Sequence, residues 1–216
     1  MKKITFTNVH RRKHFDFFLN MDAPHFNITA NVEITPFLKS LKAHQQPFTP
    51  AVVYALAHTA NSIQEFRWRI RNGEVVEHEW VHPSFTVNTD IADVFSFCTV
   101  EYSPDYKVFT IRAKAKMEKM KEDPSFEDEE GRDDYLFISA IPWVTFTGFM
   151  HPMHYHPVDS VPRFAFGKYF EQNAKYFMPI SVQAHHAIVD GVHVGRYFQK
   201  IEKLFCEEFE KIIEDK

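Results

Sequence analysis

The chain is poor in glycine and cysteine and has no surplus of positive charge, and each shortage removes a class of function. Only 6 of the 216 residues are Gly. Neither GxGxxG, GxxxxGKS, GxxxxGKT nor GxSxG occurs, so no glycine-rich phosphate cradle or nucleophile elbow is expected. The two cysteines, Cys98 and Cys206, are far apart and suggest no disulfide framework. Lys and Arg number 25 against 29 Asp and Glu, for a net charge of −4. Nucleic-acid binding needs clustered cations to neutralise phosphate, and none is visible. No apolar run approaches the roughly 20 residues of a membrane span. Met1 to Phe6 lacks the apolar core of a signal peptide. The reading is a soluble protein of a reducing, cytoplasmic compartment with no membrane partner.

What is abundant is apolar and aromatic. Hydrophobic residues make up 44% of the chain, and 23 are Phe. No repeat, linker or composition shift divides it, so one domain over 1–216 is expected. Phe15, Phe18 and Leu19 share a face of a helix expected over Arg11 to Met21. Phe26 to Ile34 alternates as a half-buried strand does. Thr49-Pro50 reads as an N-cap and first helical residue, with a buried helix from Ala51. Asn72-Gly73, between Trp68–Ile70 and Val75–Glu77, is a hairpin signal. Strands are expected at Ser84–Thr89, Val94–Glu101, Leu136–Ser139, Trp143–Phe146, Phe164–Tyr169 and Met178–His185. A charged helix ends the stretch Lys107–Lys121, an acidic loop spans Phe126–Asp134, and a last helix runs Val192–Ile213. The class is therefore α/β (α+β), a two-layer sandwich of a mixed sheet with helices packed on it.

The chemistry concentrates in His185-His186-Ala187-Ile188-Val189-Asp190-Gly191. An imidazole at the end of a strand suits proton transfer near neutral pH, and a carboxylate one turn on can order it. A pair of core histidines is the competing reading at this point.

Four separated segments together resemble chloramphenicol acetyltransferases, members of the CoA-dependent acyltransferase superfamily. They are Arg11-Arg12-Lys13-His14-Phe15, Ile138-Ser139-Ala140-Ile141-Pro142-Trp143-Val144, Pro179-Ile180-Ser181-Val182-Gln183-Ala184 leading into the His pair, and Gly191-Val192-His193-Val194-Gly195-Arg196. The resemblance implies a CoA-dependent acyltransferase fold, acetyl-CoA as co-substrate, a small-molecule alcohol acceptor, no metal, and a homotrimer with active sites at subunit interfaces. It implies direct transfer in a ternary complex, with His186 as general base and Ser139 as oxyanion donor. Asp190 would pair with Arg11 to hold the His186 loop, while His185 and Arg12 would be structural and surface residues. Phe17, Phe18, Thr86, Phe95, Phe126 and Phe149 fall where such enzymes line an acceptor pocket, and in a chain so rich in Phe a core role competes for each. Lys168, Tyr169 and Trp143 fall near the CoA end.

The chain departs from the family pattern in several places. Ala165 stands for a threonine that helps stabilise the tetrahedral intermediate. Val9 stands for a tryptophan and Phe18 for a tyrosine. Pro24, Phe137 and His151 also differ from the residue types expected around the pocket. Two further functions stay open: an acyltransferase with a thiol acceptor of the dihydrolipoamide kind, and a non-catalytic acyl-CoA or drug-binding protein. His151, His154 and His156 crowd six residues, but neither Cys nor HExxH accompanies them.

Overall fold

The computed structural model describes residues 1–126, 129, 131–154 and 159–214. Among these, β1 (Lys2–Ile4) precedes α1 (Val9–Leu19), which begins two residues earlier than the periodicity suggests. The Asn8 side chain explains the start: its Oδ1 accepts from the Arg11 amide at 3.0 Å, as an N-cap should. Next come β2 (His25–Glu33), α2 (Thr35–Ala43) and α3 (Phe48–Asn61). The N-cap of α3 is Pro47, not Thr49. Pro50 is tolerated within the first turn because amides there have no intrahelical acceptor. Then β3 (Trp68–Arg71) and β4 (Glu74–Glu77) form the expected hairpin, with Asn72 at φ 52 and Gly73 at φ 74.

The chain continues through β5 (His82–Asn88), β6 (Phe95–Thr99), α4 (Tyr106–Glu122), β7 (Tyr135–Ile141), β8 (Arg163–Gly167), β9 (Phe170–Gln172) and β10 (Lys175–His185). The strand expected at Trp143–Phe146 is absent. Pro142 follows β7 directly and cannot donate to a ladder, so Trp143 lies in a turn. Parts of the acidic loop, Glu127, Asp128 and Glu130, and His156 of the histidine cluster lie outside the described residues. The last helix is interrupted: α5 (Gly191–Lys203) passes through a π-helical turn, Leu204–Glu208, into α6 (Phe209–Glu214).

One large mixed sheet runs in the order β2-β10-β8-β7-β5-β6, with β9 on β10, and β1-β4-β3 forms a small separate sheet. Helix α3 packs on α4, α5, β5 and β7, and α2 packs on β10. Apolar side chains of alternate strand positions, Phe85, Ile138, Phe164, Phe166, Ile180 and Val182, join those helices in the core. The intervening positions face away from the helices and are mostly polar, Ala165 and Phe137 being exceptions. Register aligns Thr29, Ser181, Ala165 and Ser139 in one row, and Asn27, Gln183, Arg163 and Phe137 in the next. Asn27 donates to Ser181 at 2.6 Å and to the Phe149 carbonyl at 2.8 Å, which lays the segment after β7 across this face. The alternation of strand residues thus creates a dry face and a chemical face on one sheet.

Candidate active site

His186 sits where β10 ends. The amides of Ile188 and Val189 both donate to the His185 carbonyl, at 3.1 and 3.0 Å, and turn the chain into α5. His185 is 1% exposed, and its Nδ1 accepts from the Ala187 amide at 3.2 Å, a structural role. The His186 amide is fixed by the Pro24 carbonyl at 2.8 Å. Its half-buried ring stacks on Phe18, with centroids 3.9 Å apart and planes 15° from parallel. Phe26 lies at 4.5 Å and the edge of His14 at 5.4 Å. His186 Nδ1 is buried without a hydrogen-bond partner, so aromatic packing sets the ring plane.

Arg11 and Asp190 do not form the direct ion pair that the resemblance implies. The carboxylate's partner is His14, whose Nε2 lies 3.0 Å from Asp190 Oδ2. His14 Nδ1 lies 3.0 Å from Arg11 Nη1, which can only donate. The proton of the His14 ring is therefore on Nε2, facing the carboxylate. Burial, and next the Arg11 charge, lower the pKa of His14, so the ring is a neutral spacer between cation and anion. Arg11 spends its remaining donors on the loop behind His186. Nη1 reaches the Ala187 carbonyl at 2.8 Å and Nη2 the Ile188 carbonyl at 3.0 Å. Its guanidinium covers the Phe6 ring at 4.3 Å. Asp190 also caps α5: its amide donates to His193 Nδ1 at 2.8 Å. Burial alone would raise the Asp190 pKa, but the Val192 amide and His14 hold it below the usual carboxylate range. Arg12, as expected, is on the surface.

Ser139 belongs to a second group. Its Oγ lies 3.1 Å from His151 Nε2. The His151 amide donates to Gln183 Oε1 at 2.9 Å, and the ring packs edge-on against Phe149 at 4.7 Å. Thr86 accepts from the Ala140 amide at 2.9 Å, one residue beyond Ser139. Farther along the sheet edge, Phe95, Phe97 and Phe126 contact one another at 5.4–5.7 Å, and Phe95 and Phe126 are exposed. Phe137 packs under the Arg163 guanidinium at 5.3 Å.

The sequence-predicted residues therefore divide. Phe17 and Phe18 contact each other beside His186, and Arg11 and Asp190 frame it. Thr86 and Phe149 surround Ser139, with Phe95 and Phe126 beyond. Ser139 aligns with Ala165 and then Ser181, and His186 is five residues past Ser181 on β10. Strand geometry places the two Cα atoms roughly 15–20 Å apart within one chain, too far for both side chains to touch one acetyl group. Lys168 and Trp143 do lie together: the Lys168 amide donates to the Val144 carbonyl at 3.0 Å. Tyr169 is 41% exposed, its ring 5.8 Å from those of Phe48 and Tyr176.

Three participants, His14, Phe26 and Phe97, received no role from the sequence, and His151 was placed near the pocket but not against Ser139. His14 was findable, being three residues after Arg11 and so on its helix face. Among the described residues, the ligating atoms of His14, His186 and Asp190 lie within 4.8 Å of one another and could hold a divalent ion. His14 and Asp190 already satisfy each other there. His44, Glu210 and Glu214 form a second such group, at the C-cap of α2 and on α6.

The chloramphenicol acetyltransferase family model matches residues 1–202. A chloramphenicol acetyltransferase of Klebsiella sp is 34% identical over 97% of this chain and 98% of its own length. Chloramphenicol acetyltransferase 3 of Escherichia coli is 32% identical over 90% of this chain and 92% of its own. A solved chloramphenicol acetyltransferase structure superposes with a TM-score of 0.87 at 26% identity, covering 95% of this chain and 99% of that one. The cubic core of a pyruvate dehydrogenase complex shares the fold alone, with a TM-score of 0.68 at 16% identity, over 99% of this chain and 94% of its own. With the family model matching residues 1–202 and the likeness extending over nearly its whole length, this chain belongs to the chloramphenicol acetyltransferase family of acyltransferases.

Proposed function

We propose that this protein transfers the acetyl group of acetyl-CoA to a hydroxyl of chloramphenicol or a related aryl alcohol, directly within a ternary complex. The observation that carries the reading is the half-open imidazole of His186, held by Phe18, Phe26 and the Pro24 carbonyl on a loop clamped by Arg11. His186 takes the acceptor's hydroxyl proton as that oxygen attacks the thioester carbonyl. Ser139 donates to the developing oxyanion, and the proton on His186 passes to the departing CoA thiolate. Such a base commonly contributes about 10²–10⁴-fold, and one oxyanion donor about 10²–10³-fold. The exposed Phe17 and the Phe95–Phe126 pair supply aromatic surface for an aryl ring. Lys168, Tyr169 and Trp143, all exposed near one turn, offer a cation and two rings for the CoA nucleotide.

The separation of Ser139 from His186 supports a homotrimer in which His186 of one protomer meets Ser139 of the next. Each chain then acts as a single domain and supplies two half-sites. The reading uses no metal and places the enzyme in the cytoplasm. The test is thiol release from acetyl-CoA by purified protein, with a panel of aryl alcohols and with dihydrolipoamide. Release with chloramphenicol that His186→Ala abolishes supports it. Turnover only with the dithiol, or unchanged turnover in the variant, refutes it.

A further inference from the structure

His151 lies against the serine assigned above as oxyanion donor. We propose that His151 is a positioning residue that donates a hydrogen bond from Nε2 to Ser139 Oγ, freeing the serine's own proton to point at the oxyanion. The proposal rests on the acetyl-transfer reading and adds to it a residue on the Ser139 side.

Three observations carry it. The first is geometric: Nε2 and Oγ are 3.1 Å apart, a hydrogen-bond distance. The second concerns the ring's single proton. His151 Nδ1 is buried and has no hydrogen-bond partner. The Gln183 side chain and the Phe164 backbone also act on this ring, but no acceptor meets Nδ1 with hydrogen-bond geometry, whereas a proton on Nε2 finds Ser139. A serine oxygen that accepts from His151 keeps its own O–H to donate elsewhere, which is what an oxyanion site requires. The third is how the ring is held. Its backbone is tied to Gln183, which is 1% exposed on β10, while its side chain reaches Ser139 on β7. It therefore crosses β8 where Ala165, register partner of Ser139, presents only a methyl group. A larger residue at 165 would compete for that space.

The same contact has the look of a serine–histidine nucleophile pair, but its protonation argues otherwise. Burial, reinforced by the Arg163 charge, pulls the His151 pKa down to about 4. Such an imidazole stays neutral at pH 7 and is too weak a base to draw off a serine proton.

The tautomer is read directly by nitrogen-15 NMR of histidine-labelled protein, with His151→Gln to assign the signal. An Nε2-protonated, neutral ring from pH 5.5 to 8 is expected, and Nδ1 protonation overturns the proposal. This arm needs no turnover, so it stands or falls separately from the acetyl-transfer reading. Kinetically, His151→Leu should lower kcat about tenfold, with KM for acetyl-CoA little changed, as loss of one ordered hydrogen bond implies. In a Ser139→Ala background the same change should cost less than about twofold, because the group it positions is gone. An equal loss in both backgrounds overturns the positioning role, as does an acetyl adduct on Ser139 by mass spectrometry. Thermal melts at matched concentration verify that each variant is folded.

Discussion

Replacing Arg11 separates two accounts of how the His186 loop is held. If Arg11 acts as a charge for Asp190, lysine should serve. The structure instead gives Arg11 two loop carbonyls, at 2.8 and 3.0 Å, and a third contact to His14 Nδ1 at 3.0 Å. A planar fork can serve these diverging acceptors together, and an ammonium on a flexible stem cannot. A hydrogen bond from a charged donor is worth about 1.5–3 kcal/mol, and orphaning a buried carbonyl costs about 1–3 kcal/mol. Arg11 is half-buried, so solvent compensates part of the loss. About 2–4 kcal/mol for Arg11→Met is a fair sum, which in a chain of this size lowers Tm by about 5–15 °C. Arg11→Lys should lose most of the same amount, and kcat should fall with it as the loop loosens. The assays are thermal melting at fixed protein concentration and thiol release from acetyl-CoA. If Arg11→Lys melts and turns over like the parent while Arg11→Met does not, the clamp is refuted and a simple ion pair restored.

Further outcomes follow from the same contacts. His186→Ala should lower thiol release by about 10²–10⁴-fold with little change in Tm, and a similar fall in Tm and activity together would recast it as a packing residue. Acid should destabilise the fold early. Seven histidines, His14, His25, His58, His82, His151, His185 and His193, have pKa values lowered foremost by burial, His151 to about 4 and His185 to about 3. Below about pH 6.5 the unfolded chain binds protons that these wholly or partly buried rings refuse, so stability falls as pH drops, by up to about 1.4 kcal/mol per pH unit for each ring. Urea midpoints that stay flat from pH 7 to 5 would contradict this. Gly167→Ala should cost about 1–3 kcal/mol by overpacking, because a Cβ there would lie 2.8 Å from both the Phe146 ring and Pro179 Cγ. An unchanged melting temperature would mean that the Phe146 ring yields freely.

Much of the fold was legible in the chain because its signals are local. Asn72-Gly73 needs only its own backbone preferences to turn. The strand alternation from Phe26 onward and the apolar stripe of the last helix are periodicities of the chain itself. Trp143–Phe146 misled because its β-forming residues follow a proline that leaves the sheet, and the strand at Lys2–Ile4 was too short to show a period. The short helix Thr35–Ala43 has no side-chain cap, and its one start signal is Pro36 in the first turn.

The residues themselves determined which chemistry is on offer: one imidazole at a strand end, one serine in a matched segment, an arginine early and an aspartate late. Their partners are another matter, since those are set by which strands become neighbours. The sheet order put His14 rather than Arg11 against Asp190, gave Ser139 to His151, and left Ser139 and His186 on distant parts of the sheet. Hydrogen bonds reach about 3 Å, whereas sequence pattern specifies faces and periods but not which residues end within that distance. Tertiary structure alone could decide those pairings.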